Sequence, residues 1–279
     1  MKRTTLLGVC LFVSISTWVS TSSAEDLIFT APPREKPEAG EKTYGPLVNH
    51  LSKLLGKKVV YVHPRNWLNY QREMRDDKYD IVFDGPHFIS WRMAHLGHDV
   101  LVKLPGTLEF YLLAEKDDVE IAKPDDLVGK NICCISPPNL SSLSILATFP
   151  NPVQQPVLKG VTGGMGGVFG TFNNNKLSCR AWILRTNFYK KKIKEEDRAK
   201  MKIIYDTTPI PNQGISVSKR LSARDKSLIL QSLTLGDGVK ASQSIVKRFG
   251  GKNAKSFIPA KTEEYRGHNL LLEGVIFGW

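Results

Sequence analysis

In the first part of the chain, short apolar runs alternate with stretches whose apolar residues recur at helical spacing. The runs Leu27–Thr30, Lys58–Val62 and Asp80–Phe83 predict three strands. Between the first two, the apolar residues recur one turn apart until Gly56, which predicts a helix that ends there. The third run is continuous rather than alternating, a pattern typical of a strand that is buried on both faces.

A second helix is predicted after the second strand. Asn66 is a favourable residue to cap it, and Trp67, Tyr70 and Met74 recur at a spacing that places them on one helical face. Strands and helices therefore alternate along this part of the chain. That order predicts an open α/β sheet that is mostly parallel.

The alternation resumes after a break. Strands are predicted at Asn131–Ile135, Val157–Leu158 and Ala181–Leu184, with a helix predicted after each of the first two. This second unit predicts a second, mostly parallel sheet flanked by helices.

Two extended segments flank the second unit. Glu109–Ala114 leads into it, and the proline-rich Thr208–Asn212 leads out of it. Gly214–Ser218 then predicts a strand that rejoins the first sheet. We therefore expect two α/β lobes joined by two crossing segments: lobe 1 from residues 25–108 and 211–279, and lobe 2 from residues 109–210.

The amino-terminal stretch has the pattern of a secretory signal peptide. Lys2 and Arg3 precede the apolar stretch Leu6–Val19, and small residues lead up to Ala24. The apolar stretch, about 14 residues long, is shorter than the ~20 residues that span a bilayer. We expect cleavage after Ala24, export to the periplasm, and no transmembrane segment in the mature chain.

The charge of the chain points to an acidic partner. The formal net charge is +12, and the predicted leader holds two basic residues and no acidic one, so the mature protein stays strongly basic. An anionic solute, an anionic membrane surface or a nucleic acid would suit such a charge. The sequence contains no nucleic-acid-binding motif, and a protein exported from the cytoplasm is separated from the nucleic acids there. We therefore expect no nucleic acid as a partner.

Three cysteines remain after removal of the leader: Cys133, Cys134 and Cys179. An oxidising compartment permits one disulfide among them and leaves one thiol unpaired. Either Cys133 or Cys134 could pair with Cys179, and three buried free thiols are the alternative. Their spacing matches no zinc-binding pattern.

In the stretch YDIVFDGPHFISWR, residues 79–92, a histidine and aromatic residues directly follow a predicted apolar strand. Gly85 and Pro86 break the strand, and His87 and Phe88 follow at once. In open α/β sheets, ligands bind beyond the carboxyl ends of the strands. We therefore expect His87 and Phe88 to lie at a ligand-binding cleft.

A second candidate site is ISPPNLSSLSIL, residues 135–146, where a helix begins directly after a strand. Asn139, Ser141 and Ser142 offer polar side chains beside free backbone N–H groups, which together form a receptor for an anion. The alternative is that these residues simply cap the helix.

Two weaker signals lie further along. Arg185 follows the strand Ala181–Leu184, so its guanidinium could reach the cleft and bind an anion, or form an ion pair in solvent. The glycine-rich segment 160–170 could cradle a phosphate, but it lacks the register of known phosphate-binding loops. A flexible turn before a helix is the alternative.

No catalytic or metal-binding constellation can be assembled from the sequence. Nucleophile-elbow, HExxH and HxE…CxxC patterns are absent, and the six histidines are dispersed. We expect neither an enzyme nor a cofactor or metal.

Several stretches together resemble the phosphate/phosphite/phosphonate-binding proteins that serve ABC importers. No one motif is specific, but they occur in the family's order between Asp26 and about Pro259. The stretches are EKTYGPLVNHLSKLLGKKVVYV, NWLNYQREMRDDKYD, IVFDGPHF, SPPNLSSL and TPIPNQGISVS. The resemblance implies a bilobed periplasmic binding protein, of the type II fold, whose lobes close on a small ligand by hinge motion.

The chain also departs from that family. The family's serine-rich grip has lost a hydroxyl at Leu140, Met165 stands at a usually polar position, and Trp67 replaces a usual tyrosine. The resemblance thus implies a cleft that is less polar than a phosphonate site, with Trp67, Phe88 and Trp182 as apolar or aromatic lining. Arg34, with Arg185 and the basic surface, still favours an anion.

We therefore expect a monomeric solute-binding protein that delivers an anionic solute to an ABC permease. The expected ligand contacts are Arg34, Trp67, His87, Phe88, Asn139, Ser141, Ser142 and Arg185. The alternative is an accessory or sensor protein of the same fold that binds a protein, which the apolar carboxyl-terminal stretch LLLEGVIFGW suggests.

Overall fold

The computed structural model describes residues 26–174, 176–251 and 253–273, so the predicted leader lies outside the described residues. The chain folds into two α/β lobes, each built on its own sheet, and the predicted fold class is confirmed. No helix among the described residues is both long enough and apolar enough to cross a lipid bilayer.

The first lobe is built on a six-stranded sheet. Its strands are β1 (Leu27–Thr30), β2 (Val59–Tyr61), β3 (Ile81–Asp84), β4 (Asp99–Lys103), β12 (Gly214–Val217) and β13 (Ile258–Pro259), in the spatial order β13-β4-β12-β3-β1-β2. Its helices are α1 (Pro37–Leu55), α2 (Trp67–Arg75), α3 (Pro86–Leu96), α8 (Ala223–Leu235), α9 (Gly238–Ala241), α10 (Gln243–Phe249), α11 (Thr262–Tyr265) and α12 (Leu270–Glu273).

The second lobe is built on a five-stranded sheet. Its strands are β6 (Phe110–Glu115), β7 (Asn131–Cys134), β8 (Val157–Gly160), β9 (Ala181–Arg185) and β10 (Met201–Asp206), in the order β10-β6-β9-β7-β8. Its α-helices are α4 (Leu140–Leu146), α5 (Gly164–Asn174), α6 (Thr186–Lys192) and α7 (Glu195–Arg198), and a 3₁₀ turn covers Pro124–Leu127.

Both sheets are mixed, which corrects the expectation that they are mostly parallel. In lobe 1, β1 is parallel to β2 and β3, but β12 runs antiparallel between β3 and β4. In lobe 2, β7 is parallel to β8 and β9, whereas β6 is antiparallel to β9 and β10. The reason is that β6 and β12 each follow a crossing. A chain that enters a lobe from the cleft must run away from it, against the strands that end there.

The two crossings pair with each other. Thr107–Leu108 (β5) and Ile210–Pro211 (β11) form a two-stranded antiparallel ribbon between the lobes. Glu109–Ala114 was expected to be the first crossing, but Phe110–Glu115 lies inside the sheet of lobe 2. That run is apolar, and pairing on both sides buries it almost completely. The lobe boundaries expected from the sequence stay a prediction.

The two faces of β7 determine which cysteine pairs with Cys179. Cys133 forms a disulfide with Cys179, with 5.7 Å between the Cα atoms, and Cys134 is a buried free thiol. Consecutive side chains of a strand point to opposite faces of the sheet. Cys133 therefore packs with Trp182 on one face, and Cys134 with Ile183 on the other.

An apolar cluster joins the two lobes next to the cleft. Leu143 from α4 of lobe 2 packs in one cluster with Phe88 and Trp91 of lobe 1. Leu272 of α12 is fully buried in the same cluster, and α12 packs against both α3 and α4. The described part of the carboxyl-terminal segment thus contacts both lobes, while residues 274–279 lie outside the described residues.

Candidate functional site

A cavity of about 460 Å³ lies between the lobes, beside the ends of β3 and β9. Lobe 1 contributes Arg34, Trp67, Gly85, His87, Phe88, Gln213, Arg248 and Phe249 to its lining. The crossing and lobe 2 contribute Leu108, Phe110, Ile135, Pro138, Asn139, Leu140, Gly164, Met165 and Arg185. Both lobes therefore surround the same space.

Six of the residues expected to bind a ligand line this cavity: Arg34, Trp67, His87, Phe88, Asn139 and Arg185. The other two, Ser141 and Ser142, are fully buried and do not line it. The Ser141 hydroxyl donates to Asn139 Oδ1 at 2.7 Å, and the Ser142 hydroxyl donates to the Ile135 carbonyl oxygen. Both hydroxyls therefore bond within the segment that joins β7 to α4, and Asn139 caps the helix, which is the capping alternative.

Trp182, another expected part of the lining, lies elsewhere. Its side chain is fully buried in lobe 2, its Nε1 donates to Thr171 Oγ1 at 3.1 Å, and it packs edge-on against Phe172. Side chains alternate along β9, so Trp182 and Arg185 point to opposite faces of the sheet. Trp182 therefore lies in the core of lobe 2, while Arg185, at the end of the strand, reaches the cavity.

Three helices begin at the cavity. Gly85 precedes α3, Asn139 caps α4 with its side chain, and Gly164 begins α5. Backbone N–H groups in the first turn of a helix lack partners within the helix and favour an anion. Gly163 and Gly164 have φ angles of 83° and 66°, which only glycine adopts without strain, so the glycine-rich segment turns α5 toward the cavity.

Arg34 is held at the cavity by a buried carboxylate. Asp84, at the end of β3, is fully buried, and its Oδ2 lies 3.1 Å from Arg92 Nη1 and accepts from the Tyr70 hydroxyl. Its Oδ1 accepts from Gly85 N at 2.7 Å and lies 3.4 Å from Arg34 Nη2. Burial raises the pKa of Asp84, and the charges of Arg92 and Arg34 oppose that rise. Both carboxylate oxygens thus have partners, as a buried charge requires.

Sequence reasoning did not single out Asp84. The available signal was an acidic residue at the end of an otherwise apolar strand, directly before Gly85-Pro86. A carboxylate in such a position must find a positive partner inside the protein. That partner is Arg92, which lies two turns further along in α3 and is buried together with Asp84.

His87 connects the lobes as a neutral imidazole. Its Nε2 lies 3.1 Å from the carbonyl oxygen of Pro138 in lobe 2. Because a carbonyl oxygen can only accept, we assign the proton to Nε2, which leaves Nδ1 as an acceptor. Burial, with a smaller contribution from Arg34 and Arg92, lowers the pKa of His87 to about 3. Nδ1 is buried without a hydrogen-bond partner among the described residues.

One wall of the cavity is aromatic. The rings of Trp67 and Phe88 are nearly parallel, with centroids 6.2 Å apart, and Tyr70 meets Phe88 edge-on at 5.5 Å. Leu140 and Met165 add apolar surface from the other lobe. Such apolar surface forms few hydrogen bonds with a compact, hydrated ion, and it suits an apolar or aromatic group of a ligand.

The remaining charge of the cavity is positive. Arg34, Arg185 and Arg248 line it, and no Asp or Glu does so among the described residues. Arg248 pairs with Glu35 at 2.9 Å, and Arg34 pairs with Asp84. Arg185 differs, because its Nε is buried with no hydrogen-bond partner among the described residues.

Arg185 is the cavity's best anchor for an anion. Burial lowers the pKa of its guanidinium, and the nearby charge of Glu109 opposes that effect. Arg185 is half-buried, and its enclosed Nε lacks a partner among the described residues, which costs free energy that an anion in the cavity would recover. The expectation that Arg185 extends from the end of its strand into the cleft agrees with its place in the lining.

Sequence reasoning missed Arg248, Phe249 and Gln213 as cavity residues. Gln213 follows the second crossing, so its position in the chain was a usable signal. Arg248 and Phe249 end α10, and no local pattern distinguishes them from an ordinary amphipathic helix end. Among the described residues, no cluster of three or more His, Cys, Asp or Glu side chains could hold a metal ion.

A family model described as "ABC transporter, phosphonate, periplasmic substrate-binding protein" matches residues 29–265. This match covers most of the chain, and it confirms the resemblance found in the sequence.

Solved structures show the same fold. A Xanthomonas citri protein bound to ATP is 12% identical, with a TM-score of 0.69 over 90% of this chain and 96% of the other. A Prochlorococcus marinus protein in complex with methylphosphonate is 17% identical, with a TM-score of 0.61 over 88% and 96%. The binding component of a Pseudomonas aeruginosa phosphonate transporter is 13% identical, with a TM-score of 0.55 over 86% and 83%.

Proposed function

Because the chain belongs to the periplasmic phosphonate-binding proteins of ABC transporters, a family of binding proteins and not of enzymes, we propose that it captures an anionic solute between its lobes and delivers it to a membrane permease. In this proposal the solute occupies the cavity between the lobes. Arg185 binds its anionic group, and the aromatic wall contacts the rest of the molecule.

The observation that carries the proposal is the state of Arg185. Its Nε is buried without a partner among the described residues, and the lining around it holds two further arginines and no carboxylate. Charge-assisted hydrogen bonds to a phosphonate, phosphate or carboxylate group would satisfy the guanidinium. The starts of α3 and α5 add backbone N–H groups that favour the same charge, whereas the start of α4 is capped by Asn139.

The same charges couple ligand binding to closure of the lobes. Arg185 comes from lobe 2, whereas Arg34 and Arg248 come from lobe 1, so closure brings like charges to one cavity. An anion between them offsets the repulsion and contacts both lobes at once, which favours the closed arrangement over an open one. The β5–β11 ribbon, which holds both crossings, is the expected hinge.

The lining supports an anion that also has an apolar part. Ligands named for two relatives, methylphosphonate for the Prochlorococcus protein and ATP for the Xanthomonas protein, both carry phosphorus oxyanions. Arg185 suits that chemistry. The aromatic pair Trp67–Phe88 and the volume of about 460 Å³ favour a solute larger than methylphosphonate.

Further parts of this proposal follow from the family and the sequence. The permease as partner, the periplasm as location, cleavage after Ala24 and a monomeric state all stay predictions. For the described part of the carboxyl-terminal stretch, Leu272 is buried between the lobes. That placement supports a structural role for it over the docking of a protein partner.

Titration of the purified protein tests the proposal. Phosphate, methylphosphonate, phenylphosphonate and a neutral benzyl alcohol control are added while heat release and tryptophan fluorescence are followed, since Trp67 lines the cavity. We expect the anions to bind and benzyl alcohol not to bind. In Arg185→Gln the affinity for the anions should be about 10- to 100-fold lower, because a charge-assisted contact is lost. Arg224→Gln, an exposed arginine of α8, is the matched control. A folded protein that binds none of these anions would contradict the proposal.

A further inference from the structure

A second, larger cleft adjoins the inner cavity. Its volume is about 1440 Å³, and it shares Met165, Arg185 and Arg248 with the 460 Å³ cavity. The two spaces therefore meet at Arg185, to which the proposed function assigns the anion, and at Arg248. A ligand bound there can extend outward without losing its contact with Arg185.

The outer cleft is lined by lysines from both sides. Lys191 and Lys192 end α6 of lobe 2, whereas Lys247 belongs to α10 of lobe 1 and Lys255 follows it. All four are exposed, and none of them is in an ion pair within the described part of the chain. Glu109 is the one carboxylate among the described residues that line the cleft.

Some lysines elsewhere in the protein form ion pairs with carboxylates of the same chain. Lys57, Lys103 and Lys226 each lie within 2.7 Å of a carboxylate oxygen from a distant part of the chain. Other exposed lysines, such as Lys53 of α1, also lie outside the ion pairs of the described residues, so the distinguishing feature of the outer cleft is that lysines from both lobes line one space. Closure brings these like charges together there.

We propose that the solute is an extended polyanion, an inference that rests on the proposed function. Its apolar or aromatic end lies against Trp67 and Phe88, and a first anionic group lies at Arg185 and Arg248. A second anionic group lies among the lysines of the outer cleft. The solute class is thus a di- or polyphosphorylated, or phosphorylated and carboxylated, organic molecule. A compact monophosphonate held at Arg185 would leave these lysines unbalanced. An added anionic group offsets their repulsion and strengthens closure.

The competing explanation is that the lysines form a solvated rim that attracts any anion. Such a rim raises the association rate of all anions with equal charge and is screened by salt, but it makes no lasting contact with the bound solute. The two explanations differ in which ligand is bound more tightly and in whether the dissociation rate changes.

Two probes with the same apolar end separate these explanations. Phenyl phosphate carries one anionic group, and phenyl diphosphate adds a second. Affinities and rate constants are measured by calorimetry and stopped-flow fluorescence at 150 mM salt. We expect phenyl diphosphate to bind at least about tenfold more tightly, the size of one charge-assisted contact, through slower dissociation.

Charge removal in the outer cleft provides the second comparison. In the double variant Lys191→Gln/Lys247→Gln, the affinity for phenyl diphosphate should fall about tenfold further than the affinity for phenyl phosphate. The matched control is Lys53→Gln, an exposed lysine of α1 outside both clefts. Thermal unfolding of each variant verifies that it is folded.

The outcomes distinguish the inference from the function on which it rests. Equal affinity for both probes, or a double variant that slows association of both alike and leaves dissociation unchanged, overturns the second anionic contact and leaves the proposed function standing. If neither probe binds to the folded protein, the proposed function itself fails, and this inference fails with it.

Discussion

The imidazole of His87, from lobe 1, donates its Nε2 proton to the carbonyl oxygen of Pro138, in lobe 2, over 3.1 Å. The bond crosses the cleft directly beside the cavity, since both residues line it. It therefore exists in the closed arrangement, and separation of the lobes would break it. Protonation would not remove this donor, since both ring nitrogens of a histidinium donate, and it is burial that keeps the ring neutral.

Acid should destabilise the protein through His87. Its pKa is lowered to about 3 by burial, whereas an unfolded histidine has a pKa of about 6.5. Between these values the unfolded chain binds more protons, so this contribution to stability is complete above about pH 6.5 and is lost as pH falls toward 3. The loss is about 1.4 kcal/mol per pH unit below 6.

Urea unfolding at pH 7 and pH 4.5 measures this effect. We expect His87→Asn to lose less unfolding free energy between the two pH values than the unmodified protein does, because asparagine does not titrate. An equal loss in both proteins would show that His87 is not responsible. His98, whose pKa burial lowers to about 2, should add to the loss in both proteins alike.

Removal of the Asp84 carboxylate should be strongly destabilising. Asp84→Asn leaves the fully buried Arg92 without its counter-charge, and breaking a buried pair in this way typically costs about 3–5 kcal/mol. Chemical denaturation provides the measurement. The matched control is Asp237→Asn, at an exposed residue that forms no ion pair within the described part of the chain, and it should change stability little. Similar effects of the two substitutions would contradict the role given to Asp84.

The Asp84 substitution should also affect ligand binding. Arg34 lies 3.4 Å from Asp84 Oδ1 and 3.3 Å from Gln213 Oε1. Without the carboxylate, Arg34 is held by the amide alone, so the cavity gains net positive charge but loses a fixed geometry. We expect the salt dependence of anion affinity to become steeper in Asp84→Asn, provided that the variant is folded at the assay temperature. Calorimetry at two salt concentrations measures it.

The disulfide should stabilise lobe 2 substantially. It joins Cys133 and Cys179, which are 46 residues apart, and closing a loop of that length is worth about 4 kcal/mol by the chain-entropy model. Cys179→Ser should therefore lower the unfolding free energy and abolish the effect of a reducing agent on it. Cys134→Ala, a buried thiol of the same strand, should keep the response to the reducing agent. A reducing-agent response in Cys179→Ser would contradict the pairing.

The aromatic wall should select among anions. Trp67→Ala removes one face of the Trp67–Phe88 pair, so the affinity for phenylphosphonate should fall about tenfold while that for methylphosphonate changes less. The neighbouring Leu68 is 73% exposed, and Leu68→Ala is the control for changes to α2. Equal losses for the two phosphonates would argue against contact between the ligand's apolar part and Trp67.

Local structure followed the sequence pattern closely. Asn66 caps α2 as expected, with its Oδ1 accepting from Asn69 N at 2.8 Å. The apolar run before Gly85-Pro86 is a strand buried along its whole length, and α3 starts directly after it. Such features depend on capping, on glycine and proline geometry and on hydrophobic periodicity, which neighbouring residues determine among themselves.

The candidate site could be predicted in part for the same reason. His87, Phe88 and Arg185 stand at strand ends, and strand ends in an α/β sheet meet at one edge. The direction of a short polar side chain is a different matter. Ser141 can face a cavity or its own helix, and the choice depends on whether Asn139 Oδ1 accepts a hydrogen bond from its hydroxyl.

The order of apolar runs, glycines and prolines predicts two α/β lobes, two crossings and most of the residues at the strand ends. Tertiary packing decided that Phe110–Glu115 is a strand inside lobe 2, that Cys133 rather than Cys134 meets Cys179, and that Arg248 faces the cavity. Each of these depends on which distant segment lies alongside, and a partner many residues away leaves no trace in the local pattern. The cavity is of this second kind, because it exists only where the two lobes meet.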